Sequence, residues 1–356
     1  MINRRKTTTV YVGDVAVGSD HPISIQSMTN TKTEDVVATI DQIRVLETAG
    51  CEIVRVAVPT FEAAKAIGEI KKKIKTPIVA DIHFDYRLAI AAMEHGADKI
   101  RLNPGNIGSE DRVRKVVEVA KHYAVPIRVG VNSGSLDRAI INKYGGVTAE
   151  GLVESALEHV RLLEKNHFEE MIVAIKSSNV QMTLKAFELL GKEVPYPYHI
   201  GITEAGTYFS GTVKSSIGIG HLLLNGMGDT MRVSLTSDPV NEIKVAKEIL
   251  NALELRTFGI KVISCPTCGR TNVNIEHMAE AVQERYSHVN ADISVAVMGC
   301  VVNGPGEARE ADLGIAGGLG EGLLFRKGEI IKKVKEEDLL DALYKEIDAL
   351  LESLNG

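Results

Sequence analysis

Pro77-Ile-Val-Ala-Asp-Ile-His83 sets a pattern that the chain repeats. A proline stops the preceding element and releases a short apolar run, which ends on polar side chains able to do chemistry. Pro126-Ile-Arg-Val-Gly-Val-Asn132 has the same form, and Lys99-Ile-Arg-Leu-Asn103 shares its polar end without the leading proline. Short apolar runs separated by amphipathic stretches are the pattern of repeated βα units. Working outward, strands are predicted at 23–26, 53–58, 78–82, 99–102, 127–131, 171–175, 198–202 and 231–235, with helices at 34–48, 61–73, 111–122, 149–165, 182–190 and 213–224. An open doubly wound sheet shares this local pattern. Eight strands over the first 235 residues favour a (β/α)8 TIM-type barrel.

After 235 the rhythm changes. Thr236-Ser-Asp-Pro239 reads as a linker and helix N-cap. Residues 240–356 then read as a smaller α+β domain: helix 240–255, strand 260–263, helix 275–286, strand 293–297, a strand around 313–316, a hairpin through Arg326-Lys-Gly-Glu329, and a last helix at 336–354. The expected organisation is therefore a barrel at 1–235, a linker at 236–239 and an α+β domain at 240–356.

Composition narrows the function. Apolar residues make up 44% of the 356, enough for a real core, while aromatics at 4% and the absence of Trp argue against a stacking surface for single-stranded nucleic acid. The net charge of −6 falls wholly after residue 238, and neither part has the basic excess of a nucleic-acid binder. No apolar run approaches the ~20 residues of a membrane span. The basic start, Asn3-Arg-Arg-Lys-Thr, lacks the apolar region of a secretory signal. A cytoplasmic location, with no nucleic-acid or membrane partner, is the expectation.

In a βα barrel catalytic groups gather at the C-terminal ends of the strands. Those ends carry Arg55, Asp81 and His83, Arg101 and Asn103, Arg128 and Asn132, Lys176, Glu204, and Arg232 and Ser234. Arg55, Arg101, Arg128, Lys176 and Arg232 thus converge on one mouth. A single such cation is more often half of an ion pair, and Asp81 and Glu204 could neutralise two of the five. The surplus calls for a phosphate or diphosphate, whose oxygens suit arginine forks. Asp81, His83 and Glu204 are candidate acid–base groups, although polar lining is the plainer role for each.

Four cysteines are present. Cys51 stands in an apolar stretch and reads as a buried small hydrophobe. Cys265-Pro-Thr-Cys268 and Cys300 have the tight spacing that metal and cluster sites favour. Zinc held by three thiolates and His277 or His288 fits the spacing too. Against zinc stands Asn303-Gly-Pro-Gly306, a turn able to bring Glu307 to the same centre.

Cys265-Pro-Thr-Cys268-Gly-Arg and Met298-Gly-Cys300-Val-Val-Asn-Gly-Pro-Gly-Glu307-Ala resemble the bacterial 4-hydroxy-3-methylbut-2-en-1-yl diphosphate synthases in their short form. Pro22-Ile-Ser-Ile-Gln-Ser-Met-Thr-Asn30, Ala80-Asp-Ile-His-Phe84, Arg101-Leu-Asn-Pro-Gly-Asn106 and Gly201-Ile-Thr-Glu-Ala-Gly206 extend the resemblance over essentially the whole chain. It implies a [4Fe-4S] cluster on Cys265, Cys268, Cys300 and Glu307. It also implies reductive ring opening of 2-C-methyl-D-erythritol 2,4-cyclodiphosphate, a small phosphorylated substrate, in the methylerythritol phosphate route to isoprenoids. Ferredoxin or flavodoxin would donate the electrons, and a homodimer would set each cluster domain over the partner's barrel. Two rival readings are a lyase or aldolase using Lys176 as a Schiff base beside a structural zinc domain, and a phosphate-sensing module with a zinc knuckle.

Overall fold

The computed structural model describes residues 2–83, 85–102, 109–301, 306 and 308–355. The chain divides into two compact units, Met1–Leu255 and Arg256–Gly356.

In the first unit, eight parallel strands form one sheet: β3 (Ser24–Met28), β4 (Ile53–Ala57), β5 (Ile78–Asp81), β6 (Lys99–Leu102), β7 (Ile127–Asn132), β8 (Met171–Lys176), β9 (His199–Ile200) and β10 (Thr230–Met231). β10 lies between β3 and β9, and a parallel bridge from Val173 to Tyr198 joins β8 to the start of β9, so the sheet closes as the expected barrel. The helices α1 (Val36–Ala49), α2 (Phe61–Lys71), α3 (Tyr86–Glu94), α4 (Glu110–Tyr123), α5 (Arg138–Tyr144), α6 (Ala149–Lys165), α7 (Val180–Leu190) and α8 (Tyr208–Leu224) connect the strands. Capping locates their starts: Thr60 accepts from the Ala63 N–H at 3.1 Å and Thr148 from the Gly151 N–H at 3.1 Å. α3, capped by Asp85, is the helix that Gly96 signals by following it, whereas α5 was not expected: Asp137 caps it, and it is short enough to read as loop.

A second unanticipated element is the hairpin β1 (Val10–Val12) and β2 (Val15–Val17). Its Val10, Val12 and Val17 pack with Ile53, Val79 and Ile172, which lie at or next to the starts of β4, β5 and β8. The hairpin therefore closes the N-terminal end of the barrel.

The domain boundary moves. α9 (Pro239–Ala252) was placed at the head of the second domain, but it packs on α1, α8 and β3 and belongs to the barrel unit. Ile243, Ala246 and Leu250 are fully buried. Burying a side chain the size of Ile243 or Leu250 contributes about 1.5–3 kcal/mol, reason enough for α9 to stay with the barrel. The expected linker at 236–239 is instead part of the barrel unit, with Thr236 bridged to Thr207 and Asp238 capping α9.

The second unit is a five-stranded mixed sheet in the order β11 (Gly259–Ser264), β12 (Asn290–Met298), β13 (Leu313–Gly317), β14 (Glu321–Arg326), β15 (Glu329–Lys335). The first three run parallel and the last two antiparallel, through the expected hairpin. α10 (Ile275–Arg285) and α11 (Leu339–Asn355) cover one face, burying Val295, Val297, Leu313, Ile315, Leu339, Leu343 and Ile347. No helix among the described residues is long and apolar enough to cross a membrane.

Candidate functional site

Strand alternation aims one side chain in two along each strand at the barrel interior. The register sets Asp81 beside Arg101, Arg101 beside Arg128, and Asn132 beside Lys176 across neighbouring strands. Asp81 is the hub. Its carboxylate lies 3.3 Å from Arg101 Nη1, 3.9 Å from Arg55 Nε and 3.4 Å from His83 Nε2. Burial alone would raise the Asp81 pKa, but Arg55, His83, Arg101 and Arg128 outweigh it and hold the carboxyl well below the usual range. His83 is largely exposed at the rim.

The cations differ in their partners. Arg55 reaches Met28 Sδ at 3.0 Å, and burial with two arginine neighbours pulls it down to about 10. Arg128 is 2% exposed, and its Nε and Nη1 have no hydrogen-bond partner among the described residues. Lys176 is buried, and desolvation, then Arg128, Arg55, Arg232 and Arg101, drive its pKa well below the ordinary lysine value. Arg232 departs from expectation. It is clamped by Glu242 of α9, Nε to Oε2 and Nη2 to Oε1 at 3.1 Å each, and Glu242 also accepts from Ser27 Oγ at 2.8 Å. Sequence reasoning missed Glu242. The signal was present, since an acidic residue on an apolar helix face ten positions after Arg232 is costly to bury unpaired.

Two glycines make room for this crowd. A Cβ on Gly130 would stand 2.9 Å from Arg101 Nε, and one on Gly201 would stand 3.3 Å from Lys176 Nζ. Glu204 lies beyond β9, exposed, with φ of +50°. A left-handed non-glycine residue is sparsely populated and recurs at functional sites. Asn132 ends β7, and Ser234 is partly buried after β10. Asn103 and Glu307 lie outside the described residues.

Alternation also places polar groups deeper in the barrel that the sequence reading did not single out. Lys99, Gln26 and His199 are buried on β6, β3 and β9. Lys99 sits two residues before Arg101, on the same strand face. A rule of two along each strand would have found it.

In the second unit, β11 and β12 run side by side and deliver Cys265 and Cys300 from the same edge of the sheet. The Gly299 N–H donates to Cys265 Sγ at 3.3 Å, and the Asn272 N–H to the Gly299 carbonyl at 3.0 Å, so the two loops are bound together. Cys268 is exposed, and the backbone N–H and guanidinium of Arg270 hold its thiol below the ordinary value. Among the described residues no three His, Cys, Asp or Glu side chains are grouped as a metal ion requires. The donor set nonetheless fits a sulfur-ligated centre: thiols from adjoining loops, one acidified and one already accepting an amide hydrogen bond, as cluster sulfurs do. Cys51 is unlike them. It is buried with its thiol donating to the Ile53 carbonyl, and desolvation pushes it up to about 12, as suits an inert core residue.

Known proteins match both units. The model of the GcpE TIM-barrel domain matches residues 7–247, and that of the GcpE protein C-terminal domain matches 261–349. A 4-hydroxy-3-methylbut-2-en-1-yl diphosphate synthase (flavodoxin) of Ruminiclostridium cellulolyticum is 57% identical over 98% of this chain and 99% of its own length. The protein of that name from Caldanaerobacter subterraneus is 58% identical over 99% of each chain, and that from Maridesulfovibrio salexigens is 58% identical over the whole of both.

Proposed function

The chain belongs to the GcpE family, and from that premise we propose how its own residues carry the family's reaction. It is an oxidoreductase, an iron–sulfur enzyme that forms 4-hydroxy-3-methylbut-2-en-1-yl diphosphate in isoprenoid biosynthesis. The substrate is 2-C-methyl-D-erythritol 2,4-cyclodiphosphate, whose diphosphate sits among Arg55, Arg101, Arg128, Lys176 and Arg232. The observation that carries this is the charge surplus at the mouth. Asp81 and Glu242 answer part of it, while two of the nitrogens of Arg128 stay without a partner among the described residues. A buried cation so placed is costly until an anion arrives.

Asn103, Asn132 and Ser234 line the carbon skeleton in this reading. Ring opening breaks the bond between carbon and a diphosphate oxygen, so negative charge grows on the diphosphate, where the arginines already point. One hydroxyl then departs as water, which takes two electrons and a proton from outside the substrate. Asp81, held ionised chiefly by Arg55 and Arg101, fixes those two arginines and lies beside His83, whose exposed ring in this reading passes a proton to the departing oxygen. Glu204 is the second candidate acid.

Cys265, Cys268, Cys300 and Glu307 would hold a [4Fe-4S] cluster, which supplies electrons singly at low potential, as amino-acid side chains cannot. Flavodoxin or ferredoxin is the donor. The assembly is a homodimer in the cytoplasm, with the cluster domain of one protomer serving the barrel of the other.

The test is the Arg128→Met variant beside Cys268→Ser. Arg128→Met should keep the iron, the sulfide and the broad absorbance near ~400 nm that zinc's filled d shell cannot give, yet lose affinity for the cyclodiphosphate. Cys268→Ser should lose the colour and keep the affinity. A parent protein that carries zinc and no iron, or an Arg128→Met protein that binds as tightly as the parent, would refute the assignment.

A further inference from the structure

Beneath the mouth, where a barrel of this class packs branched apolar side chains, this one carries polar groups. Lys99 of β6 is fully buried, and its Nζ has no hydrogen-bond partner among the described residues. The same holds for Nε2 of buried His199 and for both carboxamide atoms of Gln26. Lys99 feels Arg128 from β7 and Arg55 from β4, and His199 of β9 feels Lys99, Arg128, Lys176 and Arg55. The carboxylates nearby are engaged elsewhere, Asp81 of β5 with Arg55, Arg101 and His83, and Glu242 with Arg232 and Ser27. A guanidinium keeps its proton under almost all conditions. Lys99, His199 and, nearer the mouth, Lys176 are therefore the groups of this interior able to give charge up.

We propose that Lys99 is a positioning residue for the diphosphate: it takes up one proton when an anion settles against Arg128, and so sets a countercharge beneath the bound group. The inference rests on the mouth being the diphosphate site. Without the anion, burial first, and then repulsion from Arg128 and Arg55, hold the Lys99 ammonium down. Negative charge against Arg128 offsets that repulsion and favours the ammonium form. The proton comes from solvent, and no covalent bond other than N–H is made. The sign follows: the bound-state pKa exceeds the free-state one, so affinity falls as pH rises between them, by about tenfold per unit for one linked proton. Lys176 titrates in the same direction, so the difference between the parent and a Lys99 variant isolates Lys99.

The experiment is calorimetric titration of the anaerobic holoenzyme with inorganic diphosphate, in two buffers of different ionisation enthalpy, for the parent, Lys99→Met and Lys99→Arg. Protons exchanged by the ligand itself cancel between proteins. The parent should take up about one proton more than Lys99→Met. Lys99→Arg, permanently charged, should bind tightly without that proton and with a flatter pH profile. Lys99→Gln replaces the methionine variant if the latter does not fold. Equal proton uptake in parent and variant, with diphosphate still bound, overturns the role of Lys99 and leaves the mouth's assignment standing. Failure of the parent to bind diphosphate overturns both.

Discussion

Asp81 and Glu242 show how much of the site rests on two carboxylates. Glu242 is 3% exposed and faces Arg232, Ser27 and the Leu235 N–H. Removing one member of a buried pair leaves the other charge uncompensated, so Glu242→Ala should cost about 3–5 kcal/mol in denaturant unfolding, and weaken substrate binding as Arg232 loses its anchor. Asp81 governs the response to acid. Its folded-state pKa is depressed, so its contribution to stability is complete above its unfolded value near ~3.9 and is lost as pH falls through the folded one. The stability of Asp81→Asn should therefore lie furthest below that of the parent at neutral pH, and the gap should close in strongly acidic buffer. A gap that stays constant across a pH series of thermal melts would mean that Asp81 acts by shape and not by charge.

Among the elements, α9 is the one whose place could not be read. Its apolar face, its Asp238 cap and its Pro239 start were all legible, but a cap marks where a helix begins and not which neighbour receives its buried face. The strands were more legible, because a proline before and a polar residue after bracket an apolar run whichever fold contains it. β5 and β7 begin where Pro77 and Pro126 release them, and β6, which has no proline before it, was still bounded by its polar ends, whereas β9 and β10 shrank to two residues each as the backbone at the mouth leaves the ladder. The charged ring was legible for the same reason, since strand ends set it. Of its partners Asp81 was legible at a strand end, whereas Glu242 was not, since it arrives from a helix, and the further cation Lys99 lies a deeper turn of the alternation down. The position of α9 has a direct test. A fragment ending at Leu255 should fold cooperatively, and one ending at Asp238 should not, because it loses Ile243, Leu250 and Glu242 together. Circular dichroism melts of the two fragments decide it.

For the whole molecule, the proposed function assigns substrate chemistry to one unit and electron supply to the other, and the proposed dimer would make a functional site from two chains. Mixing Arg128→Ala with Cys300→Ala under conditions that exchange subunits should then restore about a quarter of parental activity, since about half the dimers are mixed and each has one undamaged site. No recovery, with exchange confirmed by mass spectrometry of tagged chains, would require a site complete within one chain. The hairpin of β1 and β2 gives the barrel unit a further property. With Val10, Val12 and Val17 packed on Ile53, Val79 and Ile172, the foot of the barrel is sealed from water by an apolar plug. Beneath the proposed site the buried charges therefore have packed side chains and no solvent, and whatever water or ligand answers them has to come from the strands' C-terminal side.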